Sequence, residues 1–161
     1  MLRDKSLIPL SRQHQHALAL CVRIDRASPI SEIDLSTWQA EIGQHFRAEV
    51  RIHFVAEEQF VFPPARNFAE LDALVGDLLS DHAWLRERFA RAEGKCFSGT
   101  EITEFARRLS EHIRREERQL FERLQLLMSG EELAAMGEKV ALALQEAEQA
   151  CIFPSRNPRS M

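Results

Sequence analysis

Two segments of the chain repeat one arrangement of side chains that can bind metal ions. HFVAEEQFVF begins at His53 and HIRREERQLF begins at His112, and each places a glutamate four residues after its histidine. In a helix, that spacing sets the two side chains one turn apart on the same side. Imidazole and carboxylate together suit iron, manganese, zinc or cobalt. The pairs His53 with Glu57 and His112 with Glu116 could therefore hold two similar metal ions.

Both pairs are predicted to face the protein interior. At about 100° per residue, Ile42 and Phe46 lie within about 20° of His53. The same count sets Glu57 and Glu116 about 40° from their histidines, on the buried faces. An ionised glutamate in a dry core costs several kcal/mol unless a cation compensates it. No lysine occupies the centre of either apolar face, so metal ions are the more economical counter-charge.

Two further histidines occupy the same kind of position. His82 and His14 share helix faces with several leucines, whereas His16 lies about 160° from His14 and is predicted to face solvent. His45 lies about 80° from the centre of its apolar face. One such histidine is usually a core residue bonded to a backbone carbonyl, but four beside two buried glutamates favour metal binding. The predicted metal ligands are His14, His53, Glu57, His82, His112 and Glu116.

The elements that position these residues are predicted to be helices throughout. Glycine and proline are scarce, leucine, alanine and glutamate are abundant, and no alternating strand pattern is present. The predicted helices span about 11–26, 35–62, 69–92, 101–128 and 131–149, and residues 151–161 are predicted to form an irregular tail. Ser11 is the expected N-cap of the first helix, and Pro63-Pro64 are expected to end the second.

Four long helices with short connections predict an all-α fold, an up-down-up-down four-helix bundle over about residues 7–128. Such bundles build cofactor sites from inward-facing side chains. The additional C-terminal helix, about 131–150, is amphipathic and either caps the bundle or forms a subunit contact, such as a homodimer interface. A chain of 161 residues is long enough for one domain with a single core, so 1–161 is predicted to be a single domain.

Composition excludes several kinds of partner. The net charge of −4 is spread along the chain rather than forming a basic block, which argues against nucleic acid. No apolar run approaches the roughly 18 residues that span a bilayer, and the N-terminus has no secretory signal. The three cysteines show no CxxC spacing and no disulfide framework, which favours a reducing cytoplasm. The expected protein is cytoplasmic and binds neither membrane nor nucleic acid.

The order and spacing of the predicted ligands resemble those of the hemerythrin-like, or HHE cation-binding, family. The resemblance covers about residues 7–127 and rests on the two H-x-x-x-E-E segments, the FPP after the first, and the start LSRQHQHAL. It implies a four-helix bundle around a non-haem di-iron centre, with two bridging carboxylates and histidines completing each coordination shell. The family ligands match His14, His53, Glu57, His82, His112 and Glu116.

The sequence departs from the oxygen-carrying hemerythrins at two positions. Arg86 stands where they have a second histidine, and Glu116 stands where they have an aspartate. One coordination position is then open, or filled by water, by Glu49, or by a displaced His16 or His45. An open position invites dioxygen, peroxide or nitric oxide. Arg86 either steadies a bound anion there or extends to solvent at the end of the bundle.

Three functions remain open from the sequence. The first is a cytoplasmic di-iron protein that senses, stores or binds dioxygen, nitric oxide or iron, with zinc or manganese as other possible metals. The second is a redox enzyme that uses the same centre on peroxide or nitric oxide, or in iron-centre repair. The third is a metal-free helical interaction module.

Two further glutamates, Glu58 and Glu117, lie about 140° from their histidines and are predicted to be surface charges.

Overall fold

The computed structural model describes the backbone of residues 1–152 and the side chains of residues 1–146. Over that part, the chain forms five helical rods joined by short connections, with no β-strand. The predicted all-α class is thus confirmed. Three rods are regular α-helices, namely α1 (Ile8–Ala27), α3 (Ala69–Glu93) and α5 (Gly130–Ile152).

The other two rods, α2 and α4, contain π-helical turns. The segments of α2 are Leu35–His45, the π turn Phe46–Val50, Arg51–Ala56, the π turn Glu57–Val61 and Phe62–Ala65. The segments of α4 are Gly99–Arg115, the π turn Glu116–Phe121 and Glu122–Leu127. Glu57 and Glu116 each begin a π turn. Such turns widen a helix locally and often occur at functional sites.

The predicted start of α1 at Ser11 is wrong. The helix begins at Ile8, after Leu7, and has a proline in its first turn. Proline favours that position because its missing N–H needs no partner there. Leu7 and Leu10 are both fully buried, so the extra turn adds apolar surface to the core. Ser11 instead donates its hydroxyl to Glu117, at 2.7 Å.

The predicted end of α2 before Pro63-Pro64 is also wrong, because the rod continues to Ala65. Both prolines occupy the first positions of a new short helical segment after the π turn, where a missing N–H is tolerated. At the other end of the chain, α5 extends through Ile152, past the predicted boundary near residue 149. The sequence offers no helix breaker before Pro154. Residues 153–161 of the predicted tail lie outside the described residues.

The start of α4 follows the prediction closely. Ser98 caps the helix, its hydroxyl accepting from the backbone N–H of Glu101 at 3.2 Å. The Glu101 carboxylate accepts in return from the Ser98 N–H at 2.9 Å, which completes a capping box. This pair fixes the register of the helix that carries His112 and Glu116.

The buried apolar residues form two clusters, which we call the distal and the proximal cluster. The distal cluster includes Leu10, Phe62, Leu78 and Leu120, and α5 packs on it through Leu133, Met136, Val140 and Leu144. The proximal cluster includes Ile24, Ile42, Leu85 and Phe105. Along α1 and α3, His14 and His82 lie between the residues of one cluster and those of the other, and along α4 Glu116 lies between them. Polar residues thus separate the two halves of the core.

The rods pack as a helical bundle. The strongest contacts join α1 to α4 and the first segment of α2 to α3, while α5 lies along the middle of α2. The apolar stripe of α5 is therefore used within the chain, as expected of a helix that covers the bundle. Within the described residues, no helix is long and apolar enough to cross a membrane.

Candidate metal centre

The structure brings all six predicted ligands together between the distal and proximal clusters. None of them is more than 4% exposed, and Glu57 and Glu116 are fully buried. Their ligand atoms form two overlapping groups, in each of which the atoms lie within 4.8 Å of one another. One group consists of His14, His53, Glu57 and Glu116, and the other of His82, His112 and Glu116.

Each buried carboxylate presents one oxygen to each histidine pair. Glu57 Oε1 lies 3.2 Å from Nε2 of His53, and its Oε2 lies 3.4 Å from Nε2 of His82. Glu116 Oε2 lies 3.1 Å from Nε2 of His14, and its Oε1 lies 3.1 Å from Nε2 of His112. Two histidine pairs spanned by two carboxylates are a donor set that could hold metal ions.

The other ring nitrogen of each histidine is bonded away from the centre. The Nδ1 contacts are His14 with Glu117 at 2.7 Å, His53 with Gln13 at 2.9 Å, His82 with Glu58 at 2.8 Å and His112 with Asp81 at 3.3 Å. The acceptors are three carboxylates and an amide oxygen, so Nδ1 carries the proton in each ring. When such a ring is neutral, its Nε2 directs a lone pair toward the centre, which is the arrangement of metal-bound histidines.

The interpretation of Glu58 and Glu117 as surface charges is wrong. Their side chains are only 27% and 23% exposed, and they bond His82 and His14 on neighbouring helices. At the ideal helical angle, these two side chains lie to the side of the core-facing stripe. In a bundle, that side of a helix faces the neighbouring helix. Each also lies at the start of a π turn, where the 100° spacing no longer holds.

A simple signal marks the outer partners in the sequence. Gln13 and Asp81 directly precede a predicted ligand, and Glu58 and Glu117 directly follow one. Each nevertheless bonds a histidine on a different helix. Polar residues adjacent to an inward-facing ligand point into the boundary between helices, so they are well placed to reach the ligand of the neighbouring rod.

Arg86 also finds its partner at this boundary. Its guanidinium donates to Glu58 at 2.6 Å and lies 5.4 Å from the centre of the Phe54 ring. Arg86 thus holds the carboxylate that orients His82. The hydrogen bond from His82 is the main reason that the pKa of Glu58 falls to about 2. Burial raises this pKa, and the hydrogen bond from Arg86 lowers it further.

The inner polar atoms lack hydrogen-bond partners among the described residues. They include both oxygens of Glu57, both oxygens of Glu116, and Nε2 of His82 and of His112. In addition, the two Nε2 atoms of His14 and His53 face each other at 2.9 Å. Two lone pairs at that distance repel unless a proton or a metal ion lies between them. Atoms that each bind one ion at about 2.1 Å and at right angles are separated by about 3 Å, so this donor set fits a metal ion.

The electrostatics indicate the same need for positive charge. Burial lowers the pKa of His14 and His82, but the negative charge of the neighbouring carboxylates, Glu116 foremost, outweighs it and raises these pKa values to about 10 and about 11. Burial raises the pKa of Glu116, yet the surrounding histidines bring it well below its usual range. The buried carboxylates are therefore ionised, and either protons on imidazole or metal ions must balance them.

A cavity of about 20 Å³ adjoins the centre. His14, His53, His112 and Glu116 line one side, and the apolar part of its wall consists of Ala17, Val50, Phe54, Leu109 and Ile113. A cavity needs about 10–15 Å³ to hold one water molecule. This space therefore accepts one molecule of about that size beside the ligand atoms.

The polar wall of the cavity contains Glu49, one of the residues considered for the open coordination position. Its carboxylate bonds Nδ1 of His16 at 3.0 Å, and the His16 side chain is 62% exposed. Glu49 also lines two grooves on the surface. His16 and His45 lie outside both groups of ligand atoms. Glu49 thus stands between the buried cavity and solvent.

Comparison with curated proteins found no match, and comparison with solved structures found none either. The family model described as the hemerythrin HHE cation binding domain matches residues 9–124, most of the chain and every predicted ligand. The buried histidine and glutamate cluster is compatible with a di-iron site of that kind. The chain therefore belongs to the hemerythrin HHE cation-binding domain family.

Proposed function

We propose that this protein binds two non-haem iron ions. His14 and His53 would hold one ion, His82 and His112 would hold the other, and Glu57 and Glu116 would supply carboxylate oxygens to both. The observation that carries this proposal is the set of buried carboxylate and imidazole atoms that lack hydrogen-bond partners among the described residues. The up-down-up-down arrangement of the first four rods, with α5 packed on them, is part of the same proposal.

The ligand that the site supports best is a small diatomic molecule, dioxygen or nitric oxide. When bound, ferrous iron supplies reversible coordination and one-electron chemistry. The chain supplies a small cavity beside the ligand atoms, and five apolar side chains form part of its wall. We propose that the protein senses, stores or binds such a ligand, or iron itself, in the cytoplasm.

A redox enzyme is the second candidate, acting on peroxide or nitric oxide or in the repair of iron centres. Glu49 favours this alternative, since its carboxylate connects the cavity to an exposed histidine. Reduction of peroxide consumes protons, and a polar route from solvent to the cavity would serve it. A metal-free interaction module is less well supported, because the α5 stripe from Leu133 to Leu144 is buried in the core.

The test begins with protein purified from iron-replete cells and analysed for metal. We expect about two irons per chain, with a visible charge-transfer band after oxidation. Zinc at one equivalent and no colour would defeat the di-iron proposal. Dioxygen, nitric oxide and peroxide are then added separately to the reduced protein under anaerobic conditions. A stable adduct supports binding, whereas steady consumption supports the enzyme.

A further inference from the structure

The two halves of the centre differ in one outer hydrogen bond. His82 and His112 each donate Nδ1–H to a carboxylate, from Glu58 and Asp81 respectively. In the other half, only His14 does so, while the partner of His53 is the amide oxygen of Gln13, at 2.9 Å. One of the four imidazoles is thus hydrogen-bonded to a neutral group.

Each of the three carboxylates is itself paired with an arginine. These contacts are Arg86 with Glu58 at 2.6 Å, Arg115 with Asp81 at 3.1 Å and Arg3 with Glu117 at 2.5 Å. The ion pairs keep the acceptors ionised and fixed in position. Gln13 has no charge to contribute, and no arginine contact is found for it within residues 1–146.

This difference matters because the outer acceptor changes how strongly an imidazole binds a metal. An Nδ1–H donated to a carboxylate raises the basicity of the ring, and loss of such a partner typically costs 10–100-fold in metal affinity. Hydrogen bonds to a charged group are also about twice as strong as neutral ones. The pair His82 and His112 therefore has two strengthened donors, and the pair His14 and His53 has one.

We propose that Gln13 makes the two metal positions unequal, so that the His82 and His112 position fills first and the His14 and His53 position binds its ion more weakly. This inference rests on the proposed two-metal function. It assigns Gln13 the role of a residue that acts through His53, without contacting the metal itself.

The probe is Co²⁺, which suits the same ligands and has visible absorbance. Metal-free full-length protein is titrated against a competing chelator. We expect two steps in the wild-type protein, separated by roughly 10-fold or more in affinity. Gln13→Glu gives His53 a carboxylate partner and should tighten the weaker step by about 10-fold, which narrows the separation. Gln13→Leu removes the acceptor and should weaken that step further, leaving the tighter step unchanged.

Gln15→Glu is the matched control, because it makes the same charge change two residues away on the exposed face of α1. It should leave the difference in affinity between the two binding steps unchanged. That result would show that added negative charge alone does not tighten the weaker step. Circular dichroism verifies that each variant folds. Two equal steps in wild-type protein, or equal shifts in Gln13→Glu and Gln15→Glu, would overturn this inference alone. Fewer than two bound Co²⁺ ions would overturn the two-metal proposal with it.

Discussion

Glu116→Gln tests the most connected residue of the centre. The substitution keeps the shape of the side chain and removes its charge. Glu116 is fully buried and belongs to both groups of ligand atoms. Loss of its carboxylate should therefore weaken the binding of both ions, whereas loss of a histidine should mainly weaken the binding of one. We expect at least the 10–100-fold drop in affinity that removal of an outer partner already causes.

The size of the effect on stability follows from linkage. An ion present at 100 times its dissociation constant stabilises the folded state by about 2.7 kcal/mol. For a domain of this size, 1 kcal/mol shifts Tm by about 2–4 °C, so each ion should raise Tm by roughly 5–10 °C. A 100-fold loss of affinity reduces that stabilisation to about 0.4 kcal/mol per ion, which leaves almost no shift.

The assay compares thermal unfolding of metal-free protein with and without ferrous iron under anaerobic conditions. Glu111→Gln is the control, since it makes the same change on α4 at a side chain that is 53% exposed and that pairs, within residues 1–146, only with Arg107. We expect the iron-induced rise in Tm to be retained in the control and nearly lost in Glu116→Gln. A full rise in both variants would refute the assignment of Glu116 as a shared ligand.

Other variants test separate parts of the account. His53→Ala should lose metal measured by elemental analysis, while His16→Ala should not, and equal loss would show that the helix phasing is wrong. Glu49→Ala should open the cavity to the adjoining surface groove and speed azide binding to the oxidised protein by stopped-flow absorbance, and an unchanged rate would show that Glu49 does not limit access. Burial raises the pKa of Cys21 to about 12, so iodoacetamide should label the exposed Cys96 far faster than Cys21 by mass-spectrometric mapping at pH 8, and equal labelling would contradict the buried position of Cys21.

The positions of the six inner residues could be predicted because they depend on helical period alone. A histidine at the centre of an apolar face, such as His82, must face the core in any bundle that buries that face. The same helical period correctly predicted that the His16 side chain faces solvent. Burial of a charged residue such as Glu57 then pointed to a cation, since few other arrangements tolerate it.

The outer contacts could not be predicted in the same way. Which neighbouring helix the side chain of Glu58 or Gln13 contacts depends on how the rods pack against each other. One sequence does not specify that packing. The π turns that begin at Glu57 and Glu116 also lack a sequence signal, because neither segment contains a glycine or proline that would interrupt the α-helical pattern. They change the angular spacing at the residues where the centre is built.

The most direct test of the central claim is a crystal structure of the iron-reconstituted protein with anomalous diffraction measured at the iron edge. The proposed di-iron centre should give two iron peaks, one beside Nε2 of His14 and His53 and one beside Nε2 of His82 and His112. Glu57 and Glu116 should each contact both peaks. A map with no metal peak, in which these imidazoles and carboxylates bond only to one another, would contradict it.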